Sequence, residues 1–325
     1  MSAVARVTVV SGGQSPRRLD VFVRAQSAHV SRAAVQRWIA TGIITVNGRR
    51  AKPAQRVHPG DVITSHVAVR APLRVEGEAL PLRVLHEDAA LLVVDKAPGL
   101  VMHPAPGNWT GTLLNGLVHH LDRDRHRAGA EPSLASAETS PGPGPRLQPG
   151  LVHRLDKGTS GVVVVAKTDA AHRHLSRQFR AHSIDRVYLA LVAGTVRRGG
   201  RIEEALGRDL RDSRRVSMRS AKLRPAVTEF RVAERLGAAA TLLEVRPRTG
   251  RMHQIRVHLA SIGHPVLGDV TYGGSESAVD LGRPMLHAAL LGFVHPVTGE
   301  RVTYRAPLPG DMERALAERR ASPRG

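Results

Sequence analysis

The chain has 325 residues, 42% of them apolar and 23% charged, which is too apolar for a disordered chain and enough for about two domains. It contains no cysteine, so disulfides, thiolate catalysis and cysteine-type zinc sites are excluded. Arginines and lysines number 48 against 28 acidic residues, and the resulting net charge of +20 favours a polyanionic partner, most simply nucleic acid.

Only Lys52, Lys96, Lys157, Lys167 and Lys222 are lysine; the other basic residues are arginine. Codon bias accounts for arginine over lysine, but less easily for an excess unbalanced by Asp and Glu. Aromatic residues make up 3%, which speaks against wide base-stacking platforms. No apolar run approaches the ~18 residues of a membrane span, and residues 1–16 lack the apolar stretch of a secretory signal. No membrane attachment is expected, and the expected location is cytoplasmic.

Residues 1–16 read as a flexible tail. Residues 17–70 read as a compact basic domain, with ten arginines and lysines against Asp20 and Asp61. Leu19, Phe22 and Val23 have helical spacing. Ser31 is a candidate N-cap for a second helix carrying Val35, Trp38 and Ile39, which Gly42 can close. Ile43 to Val46 is β-rich and runs into Asn47-Gly48, a strong hairpin signal. Pro59-Gly60-Asp61 predicts a further turn before a strand at Val62-Ile63. Residues 71–80 read as a linker.

The second domain is expected over 81–310. Strands are predicted at Leu82–His86 and Leu91–Asp95 and a helix at Thr112–Leu121. Residues 122–149, rich in Pro, Gly, Ser, Ala and Arg, read as a flexible insertion, because strand signals resume directly afterwards. Gly161–Ala166 is a buried-strand run and Asp169–His182 a helix with Ala171, Leu175 and Phe179 four apart. Further strands are predicted at Arg186–Val192, Val227–Arg235, Thr241–Val245, Leu286–Val294 and Val302–Arg305. Arg251–Ile262 reads as a helix that Thr249 could cap, and 311–325 as a C-terminal helix and tail. Strands in successive runs imply an α+β core with a mixed, largely antiparallel sheet flanked by helices.

Two segments concentrate chemistry. His153-Arg154-Leu155-Asp156-Lys157-Gly158-Thr159-Ser160-Gly161 lies between apolar strand segments. Asp156 is flanked by Arg154 and Lys157, which favour its charged form. A turn held by a local ion pair fits the same residues. Thr249-Gly250-Arg251-Met252-His253-Gln254-Ile255-Arg256 begins the predicted helix, where Arg251 could reach a carboxylate or phosphate; a basic surface helix fits equally. Tyr188 lies in a strand, where a lone tyrosine is usually packing. Neither a phosphate-binding Gly-rich loop nor a Gly-x-Ser-x-Gly elbow occurs, and the 17 histidines lack ligand spacing. No metal and no nucleotide cofactor are therefore expected.

In order along the chain, these segments resemble the ribosomal large-subunit branch of the RNA pseudouridine synthases. Leu92 to Leu100 with His103-Pro104 is similar to its first motif, His153 to Gly161 to its catalytic segment, and Thr249 to Arg256 to its third. Gly263-His264-Pro265 through Tyr272-Gly273, and Leu286-His287-Ala288 with His295-Pro296, match the segments that follow. Arg18-Leu19-Asp20, Ser31-Arg32, Gln36 and Val46-Asn47-Gly48 resemble an S4 RNA-binding domain, and front domain plus core are most like the D-type members of the branch. Gly158, Met252 and Asp95 stand where an acidic residue, Thr and Asn are common.

The resemblance implies a cofactor-independent isomerisation of uridine in RNA, with large-subunit ribosomal RNA as the expected partner and a monomer favoured. It implies Asp156 as the catalytic carboxylate, Arg251 as its ion-pair partner and Tyr188 against the uracil. Arg154 would fill the gap left by an extruded nucleotide. His153 and Ile255 are expected to line the base site, and Arg32 and Arg37 to hold RNA backbone. The alternatives are a non-catalytic S4-type RNA-binding or ribosome-assembly protein and a synthase acting on tRNA. A glycosidase would need two acidic groups in one pocket.

Overall fold

Apolar residues at helical and alternating spacing gather into two separate compact units, one within Met1–Arg74 and one beginning at Val75. The computed structural model describes residues 6–11, 16–26, 32–65, 75–105, 107–127, 150–212, 215–273 and 281–321. The predicted cap at Ser31 and residues 128–149 of the predicted insertion lie outside the described residues.

The front unit comprises β1 (Arg6–Val9), β2 (Arg17–Arg18), α1 (Leu19–Gln26), α2 (Arg32–Ala40), β3 (Ile44–Val46), β4 (Arg49–Arg50), β5 (Arg56–Val57) and β6 (Val62–Ser65). Leu19 and Phe22 of α1 and Val35 and Ile39 of α2 pack with Ile44, Val46 and Ile63 of the sheet. Asn47 and Gly48 have φ of 50° and 73°, which gives the β3–β4 turn the twist of its strands. Asp20 is fully buried and accepts hydrogen bonds from Arg18, Arg32 and Gln36. Those bonds, that from Arg18 foremost, hold its carboxyl well below the usual range and tie α1 to α2.

The flexible-tail reading of 1–16 is corrected over residues 6–10. Strand β1 pairs antiparallel with β6 from Arg6–Ser65 to Val9–Val62, and Val10 is buried. Four residues carry too little alternation to register as a strand. The open edge of β6 supplies the missing hydrogen-bond partners.

The second unit adds β7 (Arg83–Glu87), β8 (Leu91–Lys96), α3 (Leu113–Arg127), β9 (Gly150–Leu151), β10 (Ser160–Ala166), α4 (Asp169–Ala181), β11 (Asp185–Ala193) and β12 (Gly200–Glu203). There follow the small hairpin β13 (Gly207–Arg208) and β14 (Val216–Ser217), then β15 (Val227–Leu236), β16 (Ala240–Pro247), α5 (Gln254–Ser261), β17 (Leu286–Val294), β18 (Arg301–Arg305) and α6 (Gly310–Ala321). Ten strands form one sheet in the order β12-β15-β16-β11-β17-β10-β8-β7, with β18 on β17 and β9 on β10. The β10–β17 pair is parallel and the other pairs are antiparallel, as the α+β reading implies.

The valine run of β10 is buried on both faces. Val162 and Val164 pack with Leu91, Val93 and Leu175 of α4, whereas Val163 and Val165 pack with Leu92, Val94, Leu113 and Leu117 of α3. That two-sided burial explains an unbroken apolar run in place of alternation. Strands β11 and β16 are covered by α5 and α6 through Leu191, Leu243, Leu259, Met312 and Leu316. The sheet forks at Gly161. Strand β17 meets β10 only at Ser160–His287 and Gly161–Ala288, then pairs with β18 from Leu290. A Cβ on Gly161 would stand 2.2 Å from the Ala288 carbonyl oxygen, and its φ is 114°, so only glycine lets the strands meet there.

Three further readings are corrected. Residues 75–80 are packed rather than linking: Val75 is buried, Asn115 Nδ2 donates to the Glu76 carbonyl, and Glu78 accepts from the Gly111 amide. Helix α3 runs past 122 into the predicted insertion. Helix α6 belongs to the core through Met312, Ala315 and Leu316. Residues 75–80 and α6 are held by polar anchors or by a few apolar residues whose partners lie far away in sequence, so no local period betrays them. Among the described residues no helix is long and apolar enough to cross a membrane.

Candidate active site

Residues 152–159 connect β9 to β10 and are fixed at several points by backbone-directed bonds. The Val164 amide donates to His153 Nε2 at 3.0 Å, and the His153 ring stacks on Phe179 with centroids 4.7 Å apart. Burial, with the Arg186 charge adding to it, pushes His153 down to about 3, so the imidazole is neutral. Lys96, 1% exposed, donates to the carbonyls of Ala97 and Leu100 at 2.9 Å and of Lys157 at 3.3 Å. Burial lowers it to about 8. Arg283 Nη1 donates to the Gly158 carbonyl at 2.9 Å while its other nitrogens hold Asp311 at the start of α6. A Cβ on Gly158 would meet Pro284 Cδ at 2.9 Å, so glycine at this position leaves room for the proline ring.

This scaffold presents Asp156 to a cleft with a cavity of about 450 Å³. Its Oδ2 lies 3.3 Å from Arg256 Nη1 and 3.9 Å from His253 Nε2. The guanidinium is aimed by Asp269, which is fully buried and accepts from Nε at 2.6 Å and Nη2 at 2.8 Å. Asp269 Oδ1 also takes the amides of Thr271 and Tyr272, and the Tyr272 ring lies 5.1 Å below the guanidinium carbon. Tyr272 Oη accepts from the Val216 amide and lies 2.8 Å from His253 Nδ1. Burial lowers the His253 pKa.

Asp156, Tyr188, Arg251, His153, Arg154 and Ile255 all line this one cavity. Tyr188 enters from β11 beside a register shift between Val187 and Tyr188, and burial pushes its phenol up. Ile255 is buried and also packs into the β11–β16 core. Arg154 is exposed at the rim. Arg32 and Arg37 belong to the front unit. Arg32 is bonded to Asp20, whereas Arg37 is exposed on α2.

The expected Arg251–Asp156 pair is corrected to Arg256–Asp156. Arg251 Nε donates instead to the Pro225 carbonyl at 3.2 Å. The reason is where the helix begins. Helix α5 starts at Gln254 and not at Arg251, with His253 in the left-handed region at φ 54°. Thr249 does not cap it. Its hydroxyl donates to Gln254 Oε1 and accepts the Val227 amide, and Gln254 Nε2 donates to Val227 and Thr228. The loop is thereby fastened to β15, Arg251 turns toward Pro225, and the first turn of α5 offers Arg256 to Asp156.

Reading the sequence also missed Arg186. It lines the cleft, its Nη2 donates to the Pro247 carbonyl, and its Nε is the one buried side-chain nitrogen or oxygen without a partner among the described residues. A Cβ on Gly250 would come within 3.1 Å of Arg186 Nη1. The only sequence signals were the proximity of Arg186 to Tyr188 in one strand and of Asp269 to Tyr272 in one loop.

Comparison with known proteins identifies the family of the chain. The RNA pseudouridylate synthase family profile matches residues 90–261 and the S4 domain profile residues 17–63. The chain is 38% identical to RNA pseudouridine synthase 2, chloroplastic, of Arabidopsis thaliana, over 94% of this chain and 80% of that one. It is 37% identical to ribosomal large subunit pseudouridine synthase D of Xanthomonas campestris, over 96% and 92%. The solved structure of human RNA pseudouridylate synthase domain containing 1 superposes with a TM-score of 0.53 at 26% identity, over 77% of this chain and 98% of that one. With an S4 domain ahead of an α+β core that matches the synthase profile over half of its length, the chain belongs to the RNA pseudouridylate synthase family.

Proposed function

We propose that this chain converts specific uridines of large-subunit ribosomal RNA to pseudouridine, with Asp156 as the reacting carboxylate. One observation carries the reading. Asp156 is the only carboxylate among the described residues lining the cavity, it shares that cavity with Tyr188, and an arginine fixed from behind points at it. Asp156 also borders a second cavity with Asp269 and Asp311, but each of those is held by two nitrogens of an arginine, so one carboxylate is presented to a sugar carbon where a glycosidase needs two.

The reaction breaks N1–C1′, turns the uracil and joins C5 to C1′; C5 gives up its proton and N1 takes one up, so substrate and product are isomers with no change of oxidation state overall. The Asp156 carboxylate lies under the sugar. Arg256 keeps that carboxylate in one orientation, a positioning role that its bidentate grip on Asp269 makes rigid. Tyr188 packs against the base, with its hydroxyl protonated because burial raises it. Arg154, exposed at the rim, takes the place vacated by the extruded nucleotide and offsets part of the few kcal/mol of unstacking. The front unit binds RNA backbone, with Arg37 among its contacts. The relatives named for the ribosomal large subunit support rRNA as the substrate.

The test is Asp156→Asn. Pseudouridine formed in rRNA and in tRNA from cells lacking the gene is mapped after complementation with each form. The reading requires rRNA sites that return with the native chain and stay absent with the variant, which keeps RNA affinity within a few-fold. Restoration by the variant, or sites restored only in tRNA, would overturn it.

A further inference from the structure

Helix α4 buries one face and turns the other to solvent. Ala171 and Leu175 are buried, with Phe179 packed on the same cluster. Outward stand Arg173, Arg177 and Arg180, all exposed. At 100° per residue they fall within a sector of about 60° and span about 10 Å of helix. None has a hydrogen-bond or ion-pair partner among the described residues.

Some other exposed arginines of this unit are tied to carboxylates, Arg201 and Arg248 to Glu229 and Arg231 and Arg246 to Glu244, whereas the three on α4 stand together in one row. A row of unneutralised guanidinium groups one turn apart repels itself and lowers helix stability. The helix dipole accounts for Arg180 in the last turn but not for Arg173 near the middle. The row also has a direction, because Arg180 and His182 at its C-terminal end line the cavity that holds Asp156.

We infer that the outer face of α4 is a docking surface for the phosphate backbone of the RNA strand that enters the cleft. Each guanidinium offers paired N–H donors to a phosphate, and the three groups lead the strand toward Arg180 and the cavity mouth. This inference rests on the reading of the cavity as a uridine site.

The experiment measures binding of a labelled, uridine-containing RNA stem-loop with single-stranded flanks across a salt series. Native chain is compared with Arg173→Gln/Arg177→Gln and with Arg173→Lys/Arg177→Lys. Two lost phosphate contacts should make the slope of log affinity against log salt shallower by about 1.4, at about 0.7 per contact. The Gln pair should raise KM for that RNA several-fold, and the Lys pair should restore the native slope. An unchanged slope in the Gln variant overturns the inference, as does loss of binding to phosphatidylserine vesicles alone. Pseudouridine formed by the native chain on the same RNA is measured in parallel, so failure of the uridine reading shows in the native protein and failure of the docking surface only in the variants.

Discussion

Arg256 reaches Asp156 with one nitrogen, 3.3 Å away, while its other two donor positions are occupied by Asp269 at 2.6 and 2.8 Å. A planar fork held on one side and free on the other is an aiming device. Its buried charge is tolerated because two carboxylates and a tyrosine face surround it.

Arg256→Lys removes that geometry, since an ammonium cannot hold Asp269 through two fixed donors and also reach Asp156. Single-turnover pseudouridine formation should fall about 100-fold, the scale of a misplaced reacting group. RNA affinity should change only a few-fold. A loss confined to affinity would mean that Arg256 contacts RNA and does not position Asp156.

Gly158→Asp should destabilise the second unit by roughly 1–3 kcal/mol, the usual cost of overpacking, because its Cβ would press on Pro284. Pro284→Ala makes room. Combined with it, Gly158→Asp should cost much less than it does alone, so a double-mutant cycle by urea denaturation should show a coupling of about 1 kcal/mol. Strict additivity would show that Pro284 is not the obstacle.

The neutral His153 makes stability depend on pH. In the folded chain its imidazole titrates near 3, far below an ordinary histidine. The unfolded ring therefore binds a proton that the folded ring refuses. Stability from this group is fully present above about pH 6.5 and falls as pH drops toward 3, by up to about 1.4 kcal/mol per unit. Burial lowers His103, His258 and His287 as well, so the native curve contains several such groups. His153→Gln keeps an acceptor for the Val164 amide and removes one titration. Urea midpoints between pH 7 and 4 should decline less steeply in the variant. Parallel curves would rule out His153 as a contributor.

Much of the molecule can be read locally, and the reason is periodicity. Ala171, Leu175 and Phe179 mark α4, the valines of β10 mark a strand covered on both faces, and Asn47-Gly48 marks a hairpin turn. The segment around Asp156 could likewise be recognised, because His153 to Gly161 is one continuous motif, although Tyr188, Arg256 and Asp269 join it only in the fold. Strand β1, the packing of 75–80 and the seating of α6 leave little local signal. Each depends on an open strand edge or on partners distant in sequence.

The amino-acid sequence alone determined the α+β class and the order of the two units, and its resemblance to a family grouped Asp156, Tyr188 and the 249–256 segment, which the fold brings to one cavity. The tertiary structure alone decided which arginine meets Asp156. Side chains five positions apart, Arg251 and Arg256, are equally plausible as text. The choice between them depends on where a helix begins, and that start is set by Gln254 bonding to β15 and by a left-handed turn at His253. Contacts of this kind join residues far apart in the chain, so they are properties of the folded molecule and not of any segment of it.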